Sequence, residues 1–304
     1  MNKSIKAIIV ILIIAIVLGV GAFVVLQFYN PFRQYPSEST ESKSYTIDEI
    51  LMPSCPQTDT VTKNGYVIDT TNKADGYVCV KGPSDGIIKK VQVIQSDSTY
   101  TYSVFDGKFT VLPLMKGSGT YTIRTLKQKS GDSYSVTASV EITAALTNEL
   151  SIYLYPNQIV DYDKETLAVL KSFELTQDDK SELERVHSIY KWIVTNIDYD
   201  YDKVDEALKT FMIPDLDDAF TKKKGICFDY AALMTSMLRV QHIPTRVVTG
   251  YTDPGYHAWI ETYIDGVGWI NPSIYFEKET WKRIDPTFDA QGPYFGKYQE
   301  KLFY

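Results

Sequence analysis

Histidine and cysteine are scarce: 304 residues hold three of each. The histidines, His187, His242 and His257, are scattered, and no close Cys/His ligand pair occurs, so a metal centre of the zinc type is not expected. No glycine-rich phosphate loop is present. Lys and Arg number 31 against 38 Asp and Glu, for a net charge of −7. The basic residues form no stripe, and an acidic chain of this kind argues against nucleic acid as a partner. No cofactor is expected.

What is present begins with an uncharged apolar run over residues 7–26. That length makes about 30 Å of helix, enough to span a bilayer. Lys3 and Lys6 precede the run and only Arg33 follows it closely, which places the N-terminus in the cytoplasm and the remainder outside. The expected location is a cell membrane, crossed once by an anchor in 1–29. The alternative is a secreted protein cut near Gly19, Gly21 and Ala22 as a signal peptide. Residues 30–44, rich in Pro, Ser, Thr, Glu and Gln, suit a spacer. About 260 residues remain, for which two domains are the default.

The first, 45–148, reads as strands. Segments 76–80, 90–94, 99–104, 109–112, 121–126 and 134–142 are β-branched or aromatic and are separated by turns such as Asp106-Gly107. Regular short strands without a helical period predict a small Ig-like β-sandwich. Cys55 and Cys79 both fall there, and in an exported chain they are candidates for a disulfide. Spacing alone leaves the pairing open, because it does not give the Cα separation.

From 149 to 304 the pattern changes. Leu183, Val186, Ile189, Tyr190, Ile193 and Ile197 fall at helix spacing. His187 lies one position off that stripe and reads as a boundary residue. After Lys222-Lys223-Lys224-Gly225 a second helix is predicted to start near Cys227. A thiol in a first helical turn meets unpaired amides and the positive dipole end, which favour the thiolate and offer oxyanion donors. Extended segments follow at 245–251 and 257–264, with His257, Trp259, Glu261 and Tyr263 on one face of the second. Asp265-Gly266 turns the chain before Trp269.

Cys227, His257 and Asp285 therefore occur in the order nucleophile, base and orienting acid, a pattern suited to acyl transfer through a thioester. Gly225-Ile226-Cys227-Phe228-Asp229-Tyr230-Ala231, Ile243-Pro244-Thr245-Arg246-Val247-Val248-Thr249-Gly250-Tyr251, His257-Ala258-Trp259 and Asp285-Pro286-Thr287 together resemble the transglutaminase-like superfamily. The resemblance implies an α+β, papain-like core, with the Cys helix on an antiparallel sheet carrying the His and the Asp. It is also similar to exported bacterial members in which a β-sandwich precedes the catalytic domain.

Two departures stand out. The family usually has Gly where His242 stands, a position suited to left-handed backbone, so His242 reads as structural. About a dozen residues, 271–282, also separate the His strand from Asp285, so Asn271 is a rival orienter. Asp285 is favoured, because a carboxylate better stabilises imidazolium. The implied function is a membrane-anchored, extracytoplasmic cysteine enzyme acting on Gln or peptide amides by crosslinking, deamidation or proteolysis. Its expected partner is a protein or peptide substrate, cell-wall and surface proteins included. The alternative is an inactive surface scaffold on the same fold.

Overall fold

Alternating burial organises the first half of the chain. In β4 (Lys89–Gln95) Lys89, Val91 and Val93 are buried while the residues between them are partly exposed, the period-2 signature of a half-covered sheet. A computed structural model describes residues 42–207, 212–253, 255–270 and 298–304. Strands β1 (Thr60–Lys63), β2 (Tyr66–Asp69), β3 (Tyr77–Lys81) and β6 (Thr110–Pro113) form one antiparallel sheet in the order β1-β2-β3-β6. The other runs β5-β4-β7-β8, with β5 at Ser98–Val104, β7 at Gly119–Ser130 and β8 at Ser133–Ala144. Ile68, Val78 and Val80 of the first sheet share a buried cluster with Val91, Val93, Tyr102 and Ile123 of the second.

Cys55 and Cys79 are disulfide-bonded, with Cα atoms 5.9 Å apart. The bond ties the segment before β1 to a central strand. Replacing both cysteines by alanine is expected to lower the unfolding free energy by about 3 kcal/mol, read from urea melts. A loss below about 1 kcal/mol would mean that the crosslink constrains little of the unfolded chain.

The second half is built around one helix. Helix α1 spans Leu167–Thr176. In α2 (Glu182–Asn196) the reciprocal bonds of a capping box, Glu184 N–H to Ser181 Oγ at 3.3 Å and Ser181 N–H to Glu184 Oε2 at 3.2 Å, fix the start. Val186, Ile189, Tyr190 and Ile193 are buried along its predicted stripe, and His187 is half-buried beside it. Short helices α3 (Tyr201–Ala207) and α4 (Leu216–Lys222) lead to α5 (Cys227–Arg239), buried throughout from Asp229 to Arg239. Helix α5 packs on an antiparallel sheet of order β13-β12-β11-β14, formed by Gly268–Ile270, Gly255–Ile264, Thr245–Thr252 and Tyr298–Phe303. The class is thus mixed α and β, with the Cys helix against an antiparallel sheet as expected.

Two boundaries differ from those read in the sequence. Ile152 and Tyr153, assigned by pattern to the second domain, are buried in the core of the first. Conversely, the segment from Ser42 to Ile50, read as spacer end and first-domain start, lies on the helical half. Ile50 enters the helical core, the Ser42 amide donates to Lys180 O at 2.9 Å, and Tyr45 stacks on His242 at 3.7 Å. His242 does adopt φ +58°, the left-handed backbone that its position suggested. Its Nε2 lies 2.8 Å from Glu49 O, so the imidazole anchors this strap where a glycine has nothing to offer.

Arg246 joins the two halves. It pairs with buried Glu261, and its guanidinium lies 4.3 Å from the Trp269 ring centroid and 5.6 Å from that of Tyr153. The candidate membrane helix at 7–26 lies outside the described residues. Among the described residues no helix is long and apolar enough to cross a membrane.

Candidate active site

Cys227 is the first residue of α5 and is partly exposed. The chain reaches it through a tight local path. Lys223 closes α4 at φ +55°. Residues 224–225 then pair in parallel with 198–199, forming short strands β9 (Asp198–Tyr199) and β10 (Lys224–Gly225). A Cβ at Gly225 would stand 2.7 Å from Asp229 Cβ, so glycine is needed for the close approach of the acid four residues on. The Asp229 Oδ2 in turn accepts the Ile226 amide at 2.9 Å. This explains the Gly-x-Cys-x-Asp spacing: the acid caps the helix that presents the thiol.

Asp229 is 1% exposed and meets Lys203 Nζ of α3 at 2.9 and 2.8 Å. That cation neutralises a buried carboxylate two residues from the sulfur. Lys203→Met is expected to leave that negative charge uncompensated near the sulfur and to slow Cys227 alkylation at neutral pH by about tenfold. Lys203→Arg should restore most of the rate. An unchanged rate in Lys203→Met would mean that the pair holds structure alone.

His257 enters from the sheet. It lies near the start of β12, is 7% exposed, and stands opposite Gly250 of β11 in the ladder. A Cβ at Gly250 would lie 2.1 Å from Gln299 O, so glycine lets β14 close against β11 behind the histidine. The imidazole stacks with the fully buried Trp259 at 6.4 Å and 18°.

Cys227 and His257 line the same cavity, of about 240 Å3. The helix start supplies Ile226 and Phe228, and the sheet supplies Thr249, Tyr256 and Ala258. Tyr199, Val204, Ala207 and Met212 form a further wall, with Tyr304 from the C-terminal end. Burial pushes the Tyr199 phenol up to about 12, helped by the charge of the nearby Cys227 sulfur. Near neutral pH it therefore stays a protonated, neutral group beside the thiol. Arg239 braces the Tyr304 side of the cavity: its three donor nitrogens reach Thr245 O, Tyr155 O and Tyr304 O at 2.8 to 2.9 Å.

The structure thus brings together two of the three residues singled out as a triad. Asp285 and its rival Asn271 lie outside the described residues, so neither has a described distance to His257. Sequence reasoning missed Lys203, Tyr199 and Tyr304. Only Lys203 had a usable signal, because an acid buried in a helix's first turn calls for a cation. Among the described residues no cluster of three or more His, Cys, Asp or Glu is placed to hold a metal ion.

Residues 171–286 match the model of the transglutaminase-like superfamily. The kyphoscoliosis peptidases of Mus musculus and Homo sapiens are 32% and 30% identical to this chain over 105 residues. The match covers 31% of this chain and 16% of either relative, so the chain spans about a sixth of their length. The crystal structure of a candidate cysteine protease from Cytophaga hutchinsonii superposes with a TM-score of 0.35 at 17% identity, covering 75% of this chain and 91% of that one. The motifs around Cys227 and His257 lie inside the matched segment, and residues 171–286 are a transglutaminase-like domain.

Proposed function

We propose that the chain is a cysteine enzyme that attacks amide bonds of protein or peptide substrates through a thioester at Cys227. The observation that carries this reading is the meeting of a helix-start thiol and a strand imidazole in one cavity. His257 takes the thiol proton as Sγ attacks the carbonyl carbon, and returns it to the departing amine. The backbone amide of Cys227 is the candidate donor to the oxyanion. A second amine or water then attacks the thioester, releasing the acyl group and restoring the thiol. Asp285 is proposed to hold the imidazole, in preference to Asn271.

The same proposal places the enzyme outside the cell, on a membrane anchor formed by 7–26. The two-sheet module is proposed to be an Ig-like spacer. Its support is the strand order: β2, β3 and β6 face β5, β4, β7 and β8, and the chain changes sheets between β3 and β4, β5 and β6, and β6 and β7. Protease added to intact cells should release a soluble fragment starting within 30–44; a mature protein already lacking the residues before about 23 would instead mark a cleaved signal.

The reaction is tested by mass spectrometry of a Gln peptide incubated with and without a primary amine. Amine incorporation identifies crosslinking, conversion of Gln to Glu identifies deamidation, and backbone cleavage identifies proteolysis. A peptide unchanged under all conditions contradicts the proposed activity.

A further inference from the structure

Among the described residues the walls of the cavity beside Cys227 and His257, away from the reacting pair, carry no charged side chain: they are Val204, Ala207, Met212, Ile226, Phe228 and Ala258, completed by Thr249 and tyrosine rings. In a chain of net charge −7, such a patch is a local exception. Behind the walls, Lys203 on α3 is paired with Asp229 on α5. A charged substrate side chain entering here would lose water and meet no counter-charge among the described lining residues, whereas an apolar one would lose only unfavourable hydration.

Two of the lining tyrosines have exposed ring partners: Tyr199 meets Tyr201 edge to face at 5.0 Å, and Tyr256 meets Tyr251 at 5.3 Å. Tyr201, Tyr251 and Tyr256 are 69%, 52% and 58% exposed. The Tyr201 and Tyr256 rings add aromatic surface beside the cavity, while Lys301 Nζ stands 5.9 Å over the Tyr251 ring. At about 240 Å3 the cavity is smaller than those that enclose a drug-sized ligand, and it suits a single side chain next to the attacked carbonyl.

We propose that this cavity selects acyl donors by a large, uncharged, apolar side chain flanking the attacked amide, so that the substrate class is peptide segments with Leu, Met, Phe or Tyr at that place. The proposal rests on the thiol acyl-transfer reading above. Val204 and Ala207 on α3 set the selectivity from the wall opposite the sheet, without taking part in the chemistry.

The test uses synthetic peptides that each hold one Gln and end in an aminocoumarin amide, so that either amide can acylate the thiol. The residues flanking both amides are Leu, Phe, Gly, Asp or Lys. Acyl-enzyme formation is followed by intact-protein mass spectrometry, and iodoacetamide alkylation of Cys227 is measured in parallel. Leu and Phe peptides are expected to acylate at least about tenfold faster than Asp or Lys peptides, the scale on which apolar pockets discriminate. Val204→Asn, polar but uncharged, should remove most of that advantage, and an unmoved thermal melting transition in the variant separates lost selectivity from lost folding.

Fast alkylation with equal acylation across the panel, or with none, overturns the selectivity and leaves the thiol reading standing. Slow alkylation with no acylation overturns both.

Discussion

Cys227→Ala is expected to lower turnover to the background of the uncatalysed reaction while leaving the melting transition nearly in place. The chemistry passes through a covalent bond to Sγ, and alanine has no atom that can form it. The structural cost is small for two reasons. The side chain is partly exposed, so little buried area is lost. The helix start is fixed by Asp229 accepting the Ile226 amide and by Lys203, neither of which involves the sulfur. Circular dichroism and a Gln-peptide assay on the same preparation measure both halves of the expectation. Comparable activity in the alanine variant would remove the enzyme reading, whatever the fold.

The second large effect is expected at Asp285. If its carboxylate orients His257, Asp285→Asn keeps the shape but neither stabilises imidazolium nor secures the tautomer, and turnover should fall by about three to four orders of magnitude. Asn271→Ala should then cost little. The reverse ranking would assign the role to Asn271, and equal small losses would leave His257 without an orienting partner from either position. The contrast has a physical basis: His257 is 7% exposed against buried Trp259, so an imidazolium formed there has little water to stabilise it and depends on a neighbouring group.

Much of this site was legible because its motifs are local. Gly225, Cys227 and Asp229 constrain one another within a single turn, and period-2 and helical spacing located β11, β12, α2 and α5. Features that depend on distant segments were not. His242 and Glu49 touch across 193 positions, and nothing in the polar composition near residue 45 distinguishes a docked strap from an exposed spacer. Tyr304 enters the cavity wall from the chain's far end with no motif around it. The Cys55–Cys79 bond required a Cα separation of 5.9 Å, which no spacing rule supplies. Two cores could be anticipated from length and pattern, but the exchange of Ile50 and Tyr153 between them follows from packing alone.

The central claim, that Cys227 is an activated thiol served by His257, is tested most directly by the rate of its alkylation at neutral pH. The chain has three cysteines and two are bonded to each other, so iodoacetamide reports on Cys227 without interference. The account predicts reaction at least about tenfold faster than that of an unstructured cysteine peptide under the same conditions, and loss of that excess in His257→Ala. A wild-type rate matching that of the peptide, unchanged by His257→Ala, would contradict it.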